Sequence, residues 1–131
     1  MQLQEIPTSQ WNEFLDQFSR LHRGQSADIS SAAMNEEPQS VAQGLPLLGV
    51  TAEHSSQDGQ RIDVIAASAE AGHVRHAILN PTHLRACEWN DGASAELRIE
   101  RADGETTLLR VGPEEQTLPP GFITDGLYSG E

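Results

Sequence analysis

Three Asp-Gly dipeptides, at 58–59, 91–92 and 103–104, constrain the fold of this chain more than any other feature. Asp-Gly favours a tight turn because glycine accepts the left-handed backbone, and each dipeptide lies between runs in which apolar and polar residues alternate. A period of two places the apolar side chains on one face of a strand. The chain after Gly24 is therefore predicted to form an antiparallel meander of six or so strands.

The last of these turns predicts a register. If Gly104 ends a three-residue loop, Leu97 lies opposite Leu109 and Ala95 lies opposite Val111, which makes one face of the hairpin apolar. A two-residue loop would shift the pairing by one residue and mix charged with apolar side chains on that face.

A second hairpin is expected around the dipeptide at 58–59, with these residues facing inward: Leu48, Val50, Ala52, Ile62, Val64 and Ala66. Gly49 in its first strand indicates a bulge or a sharp bend. Further strands are expected at 28–33, at 74–78 and at 84–89. Residues 35–46 contain prolines and a glycine and are expected to form a surface loop.

Residues 6–24 carry the one clear helical pattern in the chain. Apolar residues there recur at the spacing of a single helix face, namely Trp11, Phe14, Leu15, Phe18 and Leu21. Asp16 and Arg20 are one turn apart and can form an ion pair. Gly24 is expected to end the helix, after Arg20, His22 and Arg23, whose positive charges suit a helix C-terminus.

These elements predict a mainly β, α+β domain in which an N-terminal amphipathic helix packs on an antiparallel meander. The sheet is expected either to stay open or to curl into a small SH3-like or Sm-like barrel. Residues 1–111 are predicted to form this single domain. Residues 112–131 contain prolines, glycines and four acids but no basic residue, and are predicted to form a tail.

The charge limits the classes of partner. Twenty acidic residues and eight arginines, with no lysine, give a net charge of -12. Binding to nucleic acids depends largely on cations that neutralise phosphates, so a nucleic acid is not expected as a partner. If the chain binds another protein, we expect a basic partner more than an acidic one.

A cytoplasmic location is predicted from the cysteine content and the hydropathy. Cys87 is the single cysteine, so no intrachain disulfide can form. The first residues contain neither a basic cluster nor an apolar run, which argues against a signal peptide. No apolar run approaches the ~20 residues of a membrane span, and no membrane association is expected.

The order of several short motifs resembles a family of short bacterial proteins that is classed as a domain of unknown function. The matching pieces are the helix 11–24, then 45–52, then 76–78 with Pro81, and finally 97–100 with 109–110. The resemblance covers about residues 6–111 and leaves the predicted tail outside. It implies no activity, cofactor or catalytic residue.

The sequence contains none of the common catalytic motifs. A GxSxG nucleophile elbow and a GxGxxG loop are absent, and without lysine there is neither Schiff-base chemistry nor a Walker-type phosphate site. His73 and His76 are an odd number of residues apart and would point to opposite faces of a strand. We therefore predict no catalytic residue, no cofactor and no metal site.

Two functional hypotheses remain. The leading one is a non-enzymatic protein-binding or accessory module that presents a sheet edge, a barrel rim or the groove between helix and sheet. Apolar residues of the tail could also contact a partner, and these are Phe122, Ile123, Leu127 and Tyr128. The alternative is a small enzyme or ligand-binding protein whose pocket is formed by His76, Arg85, Cys87 and Trp89.

Overall fold

The computed structural model describes residues 3–55, 59–68, 72–89 and 93–112. These residues form one helix, one 3-10 turn at Thr8–Gln10 and eight strands. The helix is α1 (Trp11–His22), and the strands are β1 (Gln4–Glu5), β2 (Ser26–Ala32), β3 (Gln39–Ser55), β4 (Gly59–Ser68), β5 (Gly72–Leu79), β6 (Pro81–Trp89), β7 (Ser94–Arg101) and β8 (Thr106–Gly112).

The strands form one antiparallel sheet in the order β1-β6-β7-β8-β2-β3-β4-β5. This confirms a mainly β fold with an N-terminal helix. The two outer strands of this order, β1 and β5, do not pair with each other, so the described sheet is open and is not a closed SH3-like or Sm-like barrel. Strand β3 pairs with β2 through residues 39–46 and with β4 through residues 47–55, so it belongs to both halves of the sheet.

The register of the last hairpin is confirmed. Leu97 pairs with Leu109 and Ala95 pairs with Val111, and all four side chains are buried. Gly104 has a φ of 91°, a left-handed conformation that glycine adopts without steric cost. The Asp-Gly signal and the apolar alternation therefore agree on one pairing.

The β3–β4 hairpin is confirmed in part. Val50 and Val64 pair with each other and are buried, which confirms their inward assignment, but Leu48 is 40% exposed while Leu47 is fully buried. The register shifts between Leu47 and Gly49, which confirms the predicted irregularity. Such an extra residue changes which neighbour faces the core, so the inward assignment of Leu48 was wrong.

The prediction of a surface loop over residues 35–46 was also wrong, because β3 begins at Gln39. The pairing of this segment with β2 contains two register shifts. At one of them Gly44 has a φ of 68°, and its N–H donates to Asp28 Oδ1 at 2.7 Å. The carboxylate of Asp28 thus accepts a hydrogen bond from a backbone N–H that has no partner in the irregular strand pairing.

Helix α1 is confirmed, but its buried face differs from the predicted one. The buried residues are Trp11, Leu15, Phe18, Ser19 and His22. Leu21 was expected on that face and is instead 68% exposed. The predicted Asp16–Arg20 ion pair is present at 3.1 Å, and Gly24, with a φ of 90°, follows the helix.

The C-terminal part of α1 lies along an edge of β3 that β2 does not reach. Ser19 Oγ accepts a hydrogen bond from the Val50 N–H at 2.8 Å and donates one to the Val50 carbonyl at 3.0 Å. Just beyond the helix, Gly24 N–H donates to the Leu47 carbonyl, and Leu47 N–H donates to the Gln25 carbonyl, both at 2.8 Å. The helix and the residues after it therefore satisfy backbone groups that a neighbouring strand would otherwise satisfy.

The two halves of the sheet meet through a contact of His76. Its Nε2 lies 3.2 Å from Thr107 Oγ1 on β8, although three strands separate β5 from β8 in the sheet order. Burial lowers the pKa of His76 from its ordinary value of 6.5, and the Glu105 carboxylate opposes this shift. The folded protein therefore favours the neutral ring.

The predicted domain boundary between residues 111 and 112 falls at the end of the described part of the chain. Gly112 is the last residue of β8, and residues 113–131 lie outside the described part of the chain.

Replacing Ser19 by alanine should leave the buried N–H and C=O of Val50 without their hydrogen-bond partner. We expect the free energy of unfolding to fall by about 3 kcal/mol in urea titrations. Ser9→Ala, at an exposed position of the 3-10 turn, is the matched control and should change it by less than about 0.5 kcal/mol. Equal effects of the two substitutions would contradict the role given to Ser19.

The lowered pKa of His76 predicts a pH dependence of stability. Unfolding takes up a proton at pH values below 6.5, so the stability due to the neutral ring is present above that pH and is lost as the pH falls. His76→Gln retains a hydrogen-bonding group but does not titrate. Between about pH 7 and about pH 5 the wild type should lose more stability than this variant. If the stability of the two proteins changed equally with pH, the lowered pKa of His76 in the folded state would be contradicted.

Candidate functional site

A groove of about 480 Å³ lies between α1 and the outer part of β6. The helix supplies one wall, and β1 and β6 supply the other. The lining residues are Phe14, Gln17, Phe18 and Leu21 from the helix, with Gln4, Ala86, Cys87 and Glu88 from the strands.

The helix wall is apolar and partly open to solvent. Phe18 is buried, Phe14 is half-buried, and Leu21 is largely exposed. The rings of Phe14 and Phe18 are in contact, with centroids 6.2 Å apart. Since residues three and four apart lie on one side of a helix, Phe14, Phe18 and Leu21 form a row beside the buried face. This row covers the core on one side and faces the groove on the other.

The strand wall includes a sheet edge. The short β1 pairs with β6 only through Gln4 opposite Ala86 and Glu5 opposite Arg85. On that side no described strand pairs with residues 87–89. An edge of this kind presents backbone donors and acceptors to which a further extended segment can bind.

His22, one turn after Phe18 on α1, is fully buried. Its ring packs on Phe18 with centroids 4.6 Å apart, and its Nδ1 lies 2.7 Å from Gln25 Oε1. Its Nε2 has no hydrogen-bond partner among the described residues, and the Oε2 of Glu88 is 3.7 Å away. Of these two residues, only Glu88 lines the groove, and His22 lies behind the ring of Phe18.

Cys87 is partly buried, and its thiol does not have the properties of a nucleophile. Burial raises the pKa of the thiol, and the nearby carboxylate of Glu96, which pairs with Cys87 across the sheet, raises it further. A reactive cysteine needs the opposite shift, because the thiolate is the nucleophile. The folded protein therefore favours the protonated thiol of Cys87.

The four residues of the predicted pocket do not all come together. Arg85 and Cys87 are two residues apart on β6 and share a face. Arg85 forms ion pairs with Glu100 at 2.8 Å and with Glu5 at 3.2 Å. His76 lies on β5, where its contact is with β8, and the side chain of Trp89 lies outside the described part of the chain. Among the described side chains of this set, only that of Cys87 lines the groove.

The tail residues predicted to contact a partner cannot be placed. They are Phe122, Ile123, Leu127 and Tyr128, and they fall within residues 113–131, outside the described ranges.

Sequence reasoning missed the roles of Leu21 and His22. Both positions follow Phe18 at helical spacing, at three and four residues, so either could have extended the buried face. Leu21 was predicted to face the core and His22 to lie at the charged helix end, but Leu21 is exposed and His22 is buried. The usable signal was the continuation of the row from Trp11 through Leu15 and Phe18 to His22.

The arginine side chains of the chain all form polar contacts with other residues of the chain. All eight arginines lie in the described ranges, and seven of them pair with carboxylates. The remaining one, Arg23, donates to the Leu48 carbonyl at 3.1 Å. No arginine side chain is therefore left without a polar partner to contact an acidic ligand.

Within residues 3–55, 59–68, 72–89 and 93–112, no three His, Cys, Asp or Glu side chains are grouped as metal ligands would be. None of the helices in these ranges has the length and hydropathy needed to span a bilayer.

Comparison with known proteins gives a family but no function. Neither a curated protein nor a solved structure matches the chain. A model of a family of unknown function, DUF5335, matches residues 2–120, which confirms the resemblance and extends it beyond residue 111. On this match over most of its length, the chain belongs to the DUF5335 family of unknown function.

Proposed function

We propose that this domain is a non-enzymatic binding module that takes up a segment of a partner protein in the groove between α1 and β6. The observation that carries the proposal is the exposure of Leu21, of which 68% is accessible, beside the rings of Phe14 and Phe18. A single exposed leucine is common, but one that extends an apolar wall inside a groove is typical of a contact surface. Burying it fully would contribute about 1.5 to 3 kcal/mol to binding.

The edge of β6 supports the same proposal. Among the described residues no strand pairs with β6 at 87–89 on the side of β1, so a partner segment in extended conformation could form backbone hydrogen bonds there while its side chains contact the helix wall. Strand addition combines affinity from main-chain hydrogen bonds with specificity from side-chain pockets. The groove contains both features within one site.

The chemistry of the groove favours binding over catalysis. The polar residues that line it are Gln4, Gln17, Cys87 and Glu88, and the raised pKa of the Cys87 thiol argues against nucleophilic attack. The alternative of a pocket shared by His76, Arg85, Cys87 and Trp89 has less support, because the contacts of His76 are on other strands.

Leu21→Glu should abolish capture of the partner, because it places a charge in the apolar wall. The matched control is Leu79→Glu, which changes an exposed leucine on β5 that does not line the groove. Both variants should unfold within about 0.5 kcal/mol of the wild type, since both side chains are exposed.

Quantitative mass spectrometry of proteins captured from an extract of the source cells provides the measurement. We expect one or more proteins to be retained by the wild type and by Leu79→Glu, and to be depleted about tenfold or more with Leu21→Glu. Equal retention by both variants would reject the groove as the binding site.

A further inference from the structure

We infer that residues 122–128 of this same chain, the apolar segment, occupy the groove between α1 and β6 until a partner segment displaces them. These residues lie outside the described ranges, so the inference is drawn from the groove, from the point where β8 ends and from the sequence beyond it. Displacement by a partner rests on the proposed function. The contact between the apolar segment and the groove requires no partner.

Strand β8 ends close to the groove. Val111 of β8 pairs with Ala95 of β7, and Ala95 pairs with Glu88 of β6, which lines the groove. Neighbouring strands are about 4.8 Å apart, so Val111 lies about 10 Å from Glu88 across the sheet. The chain beyond Gly112 therefore continues from a point two strands away from the groove.

The chain between β8 and the apolar segment is long enough to cover this distance. An extended chain spans at most about 3.3 Å per residue, so residues 113–121 can reach about 30 Å. This reach is about three times the separation of the two strands, which allows a path that leaves the plane of the sheet and enters the space between α1 and β6.

The side chains of the apolar segment suit the open wall of the groove. Four of its seven residues are large and apolar, namely Phe122, Ile123, Leu127 and Tyr128. The wall formed by Phe14, Phe18 and Leu21 is partly open to solvent, and 68% of Leu21 is exposed. Removing apolar surface from water on both sides favours the contact.

Tethering strengthens the contact, and the charges oppose it little. Residues 113–131 contain four acids, but only Asp125 lies in the apolar segment, and Glu88 is the one charged residue among the described residues that line the groove. A short linker gives the segment an effective concentration on the order of 1 mM at the groove. An affinity in the millimolar range is then sufficient to fill much of the groove, although it would be negligible between separate molecules.

A nitroxide next to the apolar segment tests the contact in the full chain. Ser129→Cys, combined with Cys87→Ser, provides a single thiol for the label. We expect paramagnetic broadening of the amide signals of Leu21 and Glu88, which line the groove, but not of Val64 on β4. Chemical reduction of the nitroxide gives the reference spectrum.

A mixed sample distinguishes a contact within one chain from a contact between two copies. Isotope-labelled chains without the nitroxide are combined with unlabelled chains that carry it. The signals of Leu21 and Glu88 should then stay sharp. Broadening in the mixed sample would show that the segment comes from a second copy and would overturn the inference.

Ile123→Glu tests displacement, and Leu118→Glu is its matched control. Both substitutions replace an apolar residue beyond β8 by a carboxylate, but Leu118 precedes the apolar segment. A segment that fills about nine-tenths of the grooves weakens the binding of a competing peptide about tenfold. For a peptide selected on the wild-type chain from a random-peptide library, calorimetry should therefore show about tenfold tighter binding to Ile123→Glu than to the wild type or to Leu118→Glu.

The results distinguish the inference from the proposed function. If Leu21 and Glu88 show no broadening, or if the three chains bind the peptide alike, the inference is wrong. Loss of peptide binding in Leu21→Glu would in that case still support the groove as the partner site. If Leu21→Glu binds the peptide normally, or if no peptide is selected, the proposed function and the displacement step fail, while the broadening still decides whether the apolar segment lies in the groove.

Discussion

The structure depends on how the unpaired edge of β3 is satisfied. Strand β2 pairs with β3 only as far as Pro46, and beyond it the backbone of β3 needs other partners on that side. Ser19 bonds both backbone groups of Val50, and residues just after the helix bond those of Leu47. Because buried backbone groups must be paired, these bonds fix the position of α1 on the sheet.

The position of the helix determines where the groove lies. With Trp11, Leu15 and Phe18 turned into the core, the next row of the helix surface faces β6 across a gap that Leu21 only partly fills. No described strand pairs with residues 87–89 of β6 on the side of β1. The apolar wall of the groove is thus a consequence of how α1 packs on β3.

Local patterns in the sequence were sufficient to predict the helix and the register of the last hairpin, because helical periodicity and Asp-Gly turns act over a few residues. The predictions from local patterns failed where contacts with residues distant in the sequence determine the pairing or the burial. The pairing of residues 39–46 depends on Asp28 of another strand, and the choice between Leu47 and Leu48 depends on a bulge. Leu21 and His22 are both compatible with the helical period, and only the docking of α1 on β3 selects which one is buried.

Amide chemical-shift mapping can show whether the space between α1 and β6 is a binding site. The isotope-labelled domain would be titrated with a peptide selected on it from a random-peptide library. If the groove binds the peptide, the largest shifts should occur at residues that line it, namely Phe14, Leu21, Cys87 and Glu88. Shifts confined to β4 and β5, on the other half of the sheet, would contradict it.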